Sequence, residues 1–172
     1  PAVIVNDFGK VAIDGQLVEG DALDMIEMAS GCICCSLQGA LADGLVELVE
    51  RQAPDVILIE STGIARPAEL APVFNRRDLL DLVELGNVLC VVDATTFSRY
   101  APGLMMLRRQ VEQANTIVLN KVADASPETL AEVRQHLDYL VQPGAVVVDS
   151  NFGEIDIGLV YDQRPIYFSR RP

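Results

Sequence analysis

Three of the four cysteines in this 172-residue sequence fall within four positions, as Cys32, Cys34 and Cys35 directly after Gly31. Thiolates are soft ligands that suit Zn²⁺, Cu(I) or, together with other donors, Co²⁺. Three such groups face one ion only on a turn, and Gly31 gives the backbone that freedom. The pattern predicts a metal site with one coordination position open, which suits delivery better than storage. Two other interpretations stay open, because clustered cysteines also serve as redox pairs or as packing.

A second motif, Asn120-Lys121-x-x-Asp124, directly follows an apolar run. Guanine presents an N1–H and an exocyclic amine side by side, and one carboxylate offers two acceptor oxygens that match both donors. Adenine presents no such pair. We therefore expect Asp124 to read guanine, the stem of Lys121 to lie along the base, and Asn120 to connect neighbouring loops. The competing interpretation is a surface loop that contains this sequence pattern by chance.

A third set of polar residues fits phosphate and Mg²⁺ chemistry. Glu60 ends an apolar run, where a carboxylate holds Mg²⁺ through water or positions the attacking water, and Gly63 allows the backbone to approach a γ-phosphate. Asp7 follows the first apolar run and is a further candidate for approaching the Mg²⁺. The competing interpretation is ordinary turn formation and capping at the ends of strands.

The elements that must position these residues follow from short apolar runs rich in Val and Ile, each typical of a buried parallel strand. The strand candidates are Ala2–Val5, Val56–Ile59, Val88–Val92, Thr116–Leu119 and Ala145–Val148, with a weaker one at Met25–Met28.

Helical periodicity fills the intervals between these runs. Apolar residues recur at helical spacing from Leu104 to Ala114, from Leu130 to Leu140, and over Ser36–Gln52. In Ser36–Gln52 the predicted apolar face consists of Leu37, Ala40, Leu41, Leu45, Leu48 and Val49. The last helix has a clear beginning, with Ser126 as its predicted N-cap and Pro127 at its first position. Strands that alternate with helices predict an α/β domain with a mainly parallel sheet, in which ligands gather at the carboxyl ends of the strands.

Composition excludes several classes of protein. The net charge is −12, with 13 Lys and Arg against 25 Asp and Glu, so we expect no nucleic-acid partner. No apolar run reaches the ~18 residues that a membrane span needs, and no signal peptide is visible, so we expect no membrane partner and a cytoplasmic location. The cysteines are not spaced like a secreted disulfide framework.

Taken in order along the chain, the motifs resemble those of the CobW-like metal-chaperone GTPases, P-loop proteins related to the GTPases that insert nickel into urease and hydrogenase. The motifs that carry this resemblance are Asn6–Gly9, Gly31–Cys35, Glu60–Gly63 with Ala65 and Pro67, Asn120–Asp124, and Gly153–Leu159.

The resemblance implies a three-layer P-loop NTPase-like α/β fold. It also implies that the protein hydrolyses GTP with Mg²⁺. It places Zn²⁺ or Co²⁺ at Cys32, Cys34 and Cys35, and it implies delivery of that metal to a client metalloprotein or to cobalamin synthesis. Asn120, Lys121, Asp124 and Asp7 would then bind the nucleotide, while Glu60 and Gly63 would serve catalysis.

The sequence departs from the family pattern in three respects. No Gly-x-x-x-x-Gly-Lys-Ser/Thr loop occurs, and Lys10 stands where relatives have a glutamate, so no auxiliary metal site is expected there. We expect residues 1–160 to be a GTPase domain without its first strand and phosphate loop, and residues 161–172 to lead towards an absent C-terminal domain. Such a fragment would bind GTP poorly, hydrolyse essentially none, and expose a sheet edge that favours a homo-oligomer.

Two alternatives to a GTP-coupled metallochaperone remain. The missing phosphate loop is compatible with a metal-sequestering module that has no GTPase activity. The second alternative is a thiol redox protein, although a disulfide between the adjacent Cys34 and Cys35 would be strained.

Overall fold

The computed structural model describes residues 2–5, 25–27, 36–61 and 67–161, which fall into two compact units. Each unit has its own parallel three-stranded sheet and its own apolar core. Of the described residues, the first unit contains those between 2 and 61 together with 69–85, and the second contains 67–68 and 86–161.

The sheet of the first unit has β1 (Ala2–Val5) at its centre. It pairs in parallel with β2 (Met25–Glu27) on one side and with β3 (Ile57–Glu60) on the other. Val5 is in register with both Glu27 and Glu60, so the carboxyl ends of the three strands share one edge of this sheet.

Helix α1 (Ser36–Gln52) supplies half of the buried residues of the first core. Leu41, Leu45 and Leu48 are almost fully buried in the same cluster as Ile4 of β1. The sequence pattern placed Ala40 on this apolar face, but Ala40 is exposed and Ala42 is buried instead. At about 100° per residue, positions 40 and 42 lie on opposite edges of the leucine stripe at similar angles from its centre, so the packing around the helix selects which of them is buried.

A short helix α2 (Pro67–Leu70) and a 3₁₀ turn (Ala71–Asn75) follow β3 along the chain. Val73, in the 3₁₀ turn, is buried in the first core. Arg76 lies after that turn and pairs with Asp43 of α1, with 2.7 Å between Nη1 and Oδ1, and with Asp78. These contacts join α1 to the chain that follows the 3₁₀ turn.

The second unit is built on β4 (Leu89–Asp93), β5 (Thr116–Asn120) and β6 (Val146–Asp149). All three are parallel, with β5 in the centre. Thr116 to Leu119 of β5 are buried, as expected for a strand covered on both faces.

Helices α3 (Phe97–Tyr100), α4 (Met105–Gln113) and α5 (Pro127–Leu140) pack on this sheet. Their buried side chains meet those of the sheet in one cluster, which includes Val111, Val133 and Leu137 from the helices and Ile117 and Leu119 from β5. The last described element is α6 (Gly158–Tyr161).

Most of the predicted elements are confirmed. The α/β class, the parallel pairing, the strand candidates and the three longer helices are all present, and α5 begins with Ser126 as N-cap and Pro127 after it. Four strands extend one residue beyond the predicted apolar run, so Glu60, Asp93, Asn120 and Asp149 are the last residues of their strands. Within the described ranges, no helix has the length and apolar character needed to cross a bilayer.

Candidate nucleotide-base site

Each strand of the second unit ends in a polar residue, and these residues lie together at the carboxyl edge of the sheet. Asp93 ends β4 and is in register with Asn120, which ends β5, while Asp149 ends β6 and pairs with Leu119. Backbone hydrogen bonds continue past the strands, from Ala94 N to Asn120 O and from Ser150 N to Leu119 O, each 2.9 Å long. The positions of these residues are therefore fixed by the sheet itself. In folds of this class, ligands bind at the carboxyl edge of the sheet.

Lys121 follows β5 in a left-handed backbone conformation, with φ 62° and ψ 34°. Its Nζ donates to Asp93 Oδ2 at 2.8 Å, and the same carboxylate accepts from the backbone N of Thr95 at 2.8 Å. Partial burial alone would raise the pKa of Asp93, but the hydrogen bonds from Lys121 and Thr95 outweigh that effect and lower the pKa to about 2. In turn, the hydrogen bond and the charge of Asp93 raise the pKa of Lys121. The side chain of Lys121 is thus held at the edge of the sheet.

A second loop, residues 150–153, lies against residues 120–124. Asn120 Oδ1 accepts from Gly153 N at 3.1 Å, which is a connection between loops of the kind expected for Asn120. Asn151 Oδ1 accepts from Ala123 N at 2.9 Å, and Ser150 O accepts from Val122 N at 3.3 Å. These three bonds fix one loop against the other.

Asp124 ends the 3₁₀ turn Val122–Asp124 and is exposed. Its backbone N donates to Lys121 O at 3.1 Å. Its carboxylate receives no hydrogen bond from the rest of the described chain, so both oxygens are open acceptors. An open carboxylate on a loop fixed from two sides fits a ligand that presents two adjacent donors.

Glu60 belongs to the first unit, where it ends β3 in register with Val5. Its side chain is exposed, at the carboxyl edge of that sheet. A solvent-facing carboxylate in this place fits a hard cation such as Mg²⁺, which prefers oxygen ligands and keeps several waters.

The remaining predicted site residues, namely Asp7, Cys32, Cys34, Cys35 and Gly63, lie outside the described residues. Their roles stay predictions, as do those of Glu60, Asn120, Lys121 and Asp124. Among the residues that the structure does describe, no group of three or more His, Cys, Asp or Glu side chains is arranged to hold a metal ion.

Cys90, the fourth cysteine, is described, and it packs against the second core. Burial raises the pKa of its thiol to about 11, so it stays protonated at neutral pH. A protonated, largely buried thiol is a poor ligand and a poor nucleophile.

Sequence reasoning did not identify the second loop as part of this site. Asn151 and Gly153 contact the Asn120–Asp124 segment only because β6 lies beside β5 in the sheet. The available signal was the polar and glycine-containing stretch directly after the last strand, which has the same place relative to β6 as Asn120 has to β5.

Comparison with known families supports a nucleotide-binding fold. A family model described as "CobW/HypB/UreG, nucleotide-binding domain" matches residues 1–148 of this chain. The chain is 30% identical to the zinc chaperone YjiA of Escherichia coli, across 94% of this chain and 52% of that protein. It is 28% identical to the zinc chaperone CobW of Pseudomonas aeruginosa, across 91% of this chain and 50% of that protein.

A more distant relative is the zinc-regulated GTPase metalloprotein activator 1 of Dictyostelium discoideum, which is 28% identical across 80% of this chain and 38% of that protein. The chain thus spans about half the length of the two bacterial relatives and less of this one. Among solved structures, the Zn(II)-bound YjiA GTPase from E. coli superimposes with a TM-score of 0.67 at 24% identity, covering 94% of this chain and 52% of that chain. This likeness confirms the expected P-loop NTPase-like fold class.

Proposed function

This chain belongs to the CobW/HypB/UreG family of nucleotide-binding domains, and from that premise we propose that it forms the guanine-reading part of a GTP-hydrolysing metallochaperone. One observation carries the proposal. The Asn120–Asp124 segment is fixed by the β5 strand on one side and by three hydrogen bonds from loop 150–153 on the other, and it leaves the carboxylate of Asp124 open.

Base recognition is divided among three side chains. Asp124 accepts from the N1–H and the exocyclic amine of guanine, which adenine does not present together. Lys121, whose ammonium group is held by Asp93, lays its methylene stem along the base. Asn120 contributes by fixing Gly153 and the loop around it.

Hydrolysis is assigned to Glu60, Gly63 and Asp7. Glu60 holds Mg²⁺ through water or positions the attacking water, Gly63 allows the backbone to approach the γ-phosphate, and Asp7 approaches the Mg²⁺. When bound, Mg²⁺ neutralises charge that develops on the phosphates. The exposed carboxylate of Glu60 at the end of β3 supports this assignment.

The metal that the protein handles is cargo. Cys32, Cys34 and Cys35 bind Zn²⁺ or Co²⁺, and the nucleotide state changes their affinity, so that metal passes to a client metalloprotein. The proposal is supported by the soft-ligand chemistry of the three thiolates and by relatives named as zinc chaperones. The same proposal includes delivery of the metal to cobalamin synthesis.

The base assignment is tested by replacing Asp124 with Asn in the natural full-length protein. The amide presents a donor where guanine also presents one, whereas xanthine presents an acceptor there, so preference should move from GDP to XDP. Equilibrium binding of both nucleotides measures the change. Asp138→Asn, at an exposed position of α5, makes the same change of charge away from the site. Unchanged guanine selectivity in Asp124→Asn contradicts the assignment.

The metal assignment is tested by titrating Zn²⁺ and Co²⁺ against a chromophoric chelator, with and without Mg²⁺ and GTP. Replacement of Cys32, Cys34 and Cys35 by Ala should abolish tight binding, while Cys90→Ala should leave it unchanged because Cys90 is packed in the second core. Affinity that shifts with GTP supports coupling, since linkage requires metal to change GTP affinity by the same factor. Tight binding that ignores GTP indicates metal sequestration, and reversible disulfide formation without metal binding indicates a redox protein.

The 172-residue chain by itself is expected to turn over GTP negligibly, because its sequence contains no phosphate-binding Gly-x-x-x-x-Gly-Lys-Ser/Thr loop. Phosphate release from purified chain, compared with the full-length protein, measures this. Saturable turnover by the 172-residue chain would refute it.

A further inference from the structure

Phe152 is the most exposed of the large apolar side chains in the described part of the chain, with 96% of its surface open to solvent. Its backbone has φ 56°, in the left-handed region that is unfavourable for a bulky residue. Fold stability gains nothing from a fully exposed aromatic ring in an unfavourable backbone conformation. Strain of this kind concentrates at ligand sites.

The position of Phe152 is fixed by its neighbours on both sides. Asn151 accepts from Ala123 N at 2.9 Å, and Gly153 donates to Asn120 Oδ1 at 3.1 Å. Phe152 therefore projects from the middle of a loop that is hydrogen-bonded at either side to the Asn120–Asp124 segment. Its ring has only two side-chain torsions to settle when a ligand arrives.

The same short region holds a second strained residue. Three non-glycine residues in the described ranges have positive φ, and two of them, Lys121 and Phe152, lie in these adjoining loops. Both have a side chain that offers a flat or extended apolar surface, the methylene stem of Lys121 and the ring of Phe152. A planar heterocycle between two such groups buries both of its faces.

We propose that Phe152 stacks on the nucleotide base held by Asp124, and so determines affinity while Asp124 determines the choice of base. This inference rests on the proposed guanine site. Stacking depends on the π face, which every purine has, whereas the carboxylate reads the hydrogen-bonding edge, which is distinctive for guanine. The two residues thus perform separable tasks.

The test uses GDP binding by the natural full-length protein with Phe152→Ala. Loss of a base–aromatic stack costs about 1–3 kcal/mol, which corresponds to a rise in Kd of about 5- to 150-fold. IDP, which lacks the exocyclic amine, should lose affinity by the same factor as GDP, because the ring contacts only the face. Phe152→Tyr should restore most of the affinity. Tyr139→Ala, which removes an aromatic ring that is 78% exposed on α5, is the matched control and should bind GDP normally.

A spectroscopic variant provides a readout that a purely structural role would not change. The 172-residue sequence contains no Trp, so Phe152→Trp introduces an indole at the proposed contact. Saturation with GDP should quench or shift the additional emission, and the thermal unfolding midpoint of the free protein should stay that of the parent because the position is exposed.

The outcomes separate this inference from the proposed function. If Asp124→Asn moves preference to xanthine while Phe152→Ala leaves GDP affinity unchanged, the base site stands and the stacking role is wrong. If Phe152→Ala weakens GDP and IDP alike while Asp124→Asn changes nothing, stacking stands and the edge-reading assignment is wrong. An indole at position 152 whose emission ignores saturating GDP also overturns the stacking role.

Discussion

At the scale of single residues, Asp93 organises the carboxyl edge of the second sheet. It is the last residue of β4, and its carboxylate accepts from Lys121 Nζ and from the backbone N of Thr95. Partial burial opposes ionisation of Asp93, but these hydrogen bonds stabilise its ionised form more strongly. The pKa of Asp93 is therefore about 2. Lys121 is held in place before any ligand binds, so less side-chain entropy is lost on binding.

Replacement of Asp93 by Asn should change how stability depends on pH. The folded-state pKa is about 2, whereas an unfolded Asp titrates near about 4, so the carboxylate stabilises the fold above pH ~4 and this contribution is lost as the pH falls towards 2. Asp93→Asn should be less stable than the parent at pH 7, and the difference should shrink on acidification. Urea unfolding midpoints of the 172-residue chain at pH 7, 4 and 3 measure it. Parallel curves for the variant and the parent would show that Asp93 has no such role.

At the scale of elements, the beginning of α5 was predictable from adjacent residues of the sequence. Ser126 Oγ accepts from Thr129 N at 3.2 Å, with Pro127 at the first helical position, as predicted. Both signals are properties of neighbouring residues, so they are legible without a structure.

Loss of this cap should destabilise the second unit. Ser126→Ala removes the acceptor for an otherwise unpaired N–H and should lower the free energy of unfolding by about 1 kcal/mol. Ser126→Asp keeps an acceptor and adds a charge favoured at a helix N-terminus, so it should be close to the parent. Denaturant unfolding of the three proteins compares them. Equal destabilisation by Ala and Asp would mean that the hydroxyl acts through something other than capping.

The elements were predictable because their signals are local, whereas much of the site was not. The apolar runs of β4, β5 and β6 and the motif at Asn120 are readable directly from the sequence. The contact between Asn151 and Ala123 joins residues 28 positions apart and exists only because β5 and β6 are neighbours. Ala40 and Ala42 show a smaller error of the same origin, since packing selects which edge of a helical stripe is buried.

At the scale of the whole molecule, the described strands have open edges. β3 and β4 each pair with a single described strand, and Val91 in the middle of β4 is 67% exposed. An edge strand with an exposed branched apolar residue is a surface on which chains associate. This agrees with the sequence-based expectation that the 172-residue chain self-associates, which itself stays a prediction.

Val91→Lys should reduce such association, because a lysine on an edge strand opposes pairing by another chain. Sedimentation velocity over a range of concentrations of the 172-residue chain measures it, and the variant should sediment with less dependence on concentration. Leu104→Lys, at a residue that is 50% exposed just before α4, is the control for added charge. The idea fails if both variants sediment like the parent.

The central position of β5 has a consequence for measurement. Its residues Thr116 to Leu119 are buried, and the segment proposed to read the base begins at its last residue. Backbone amides in a central strand exchange with solvent mainly through opening of the whole cooperative unit. A ligand that binds this segment only in the folded state therefore adds RT ln(1 + [L]/Kd) to the free energy of that opening. Slower deuterium uptake by β5 would thus report nucleotide binding from inside the protein, even where turnover is absent.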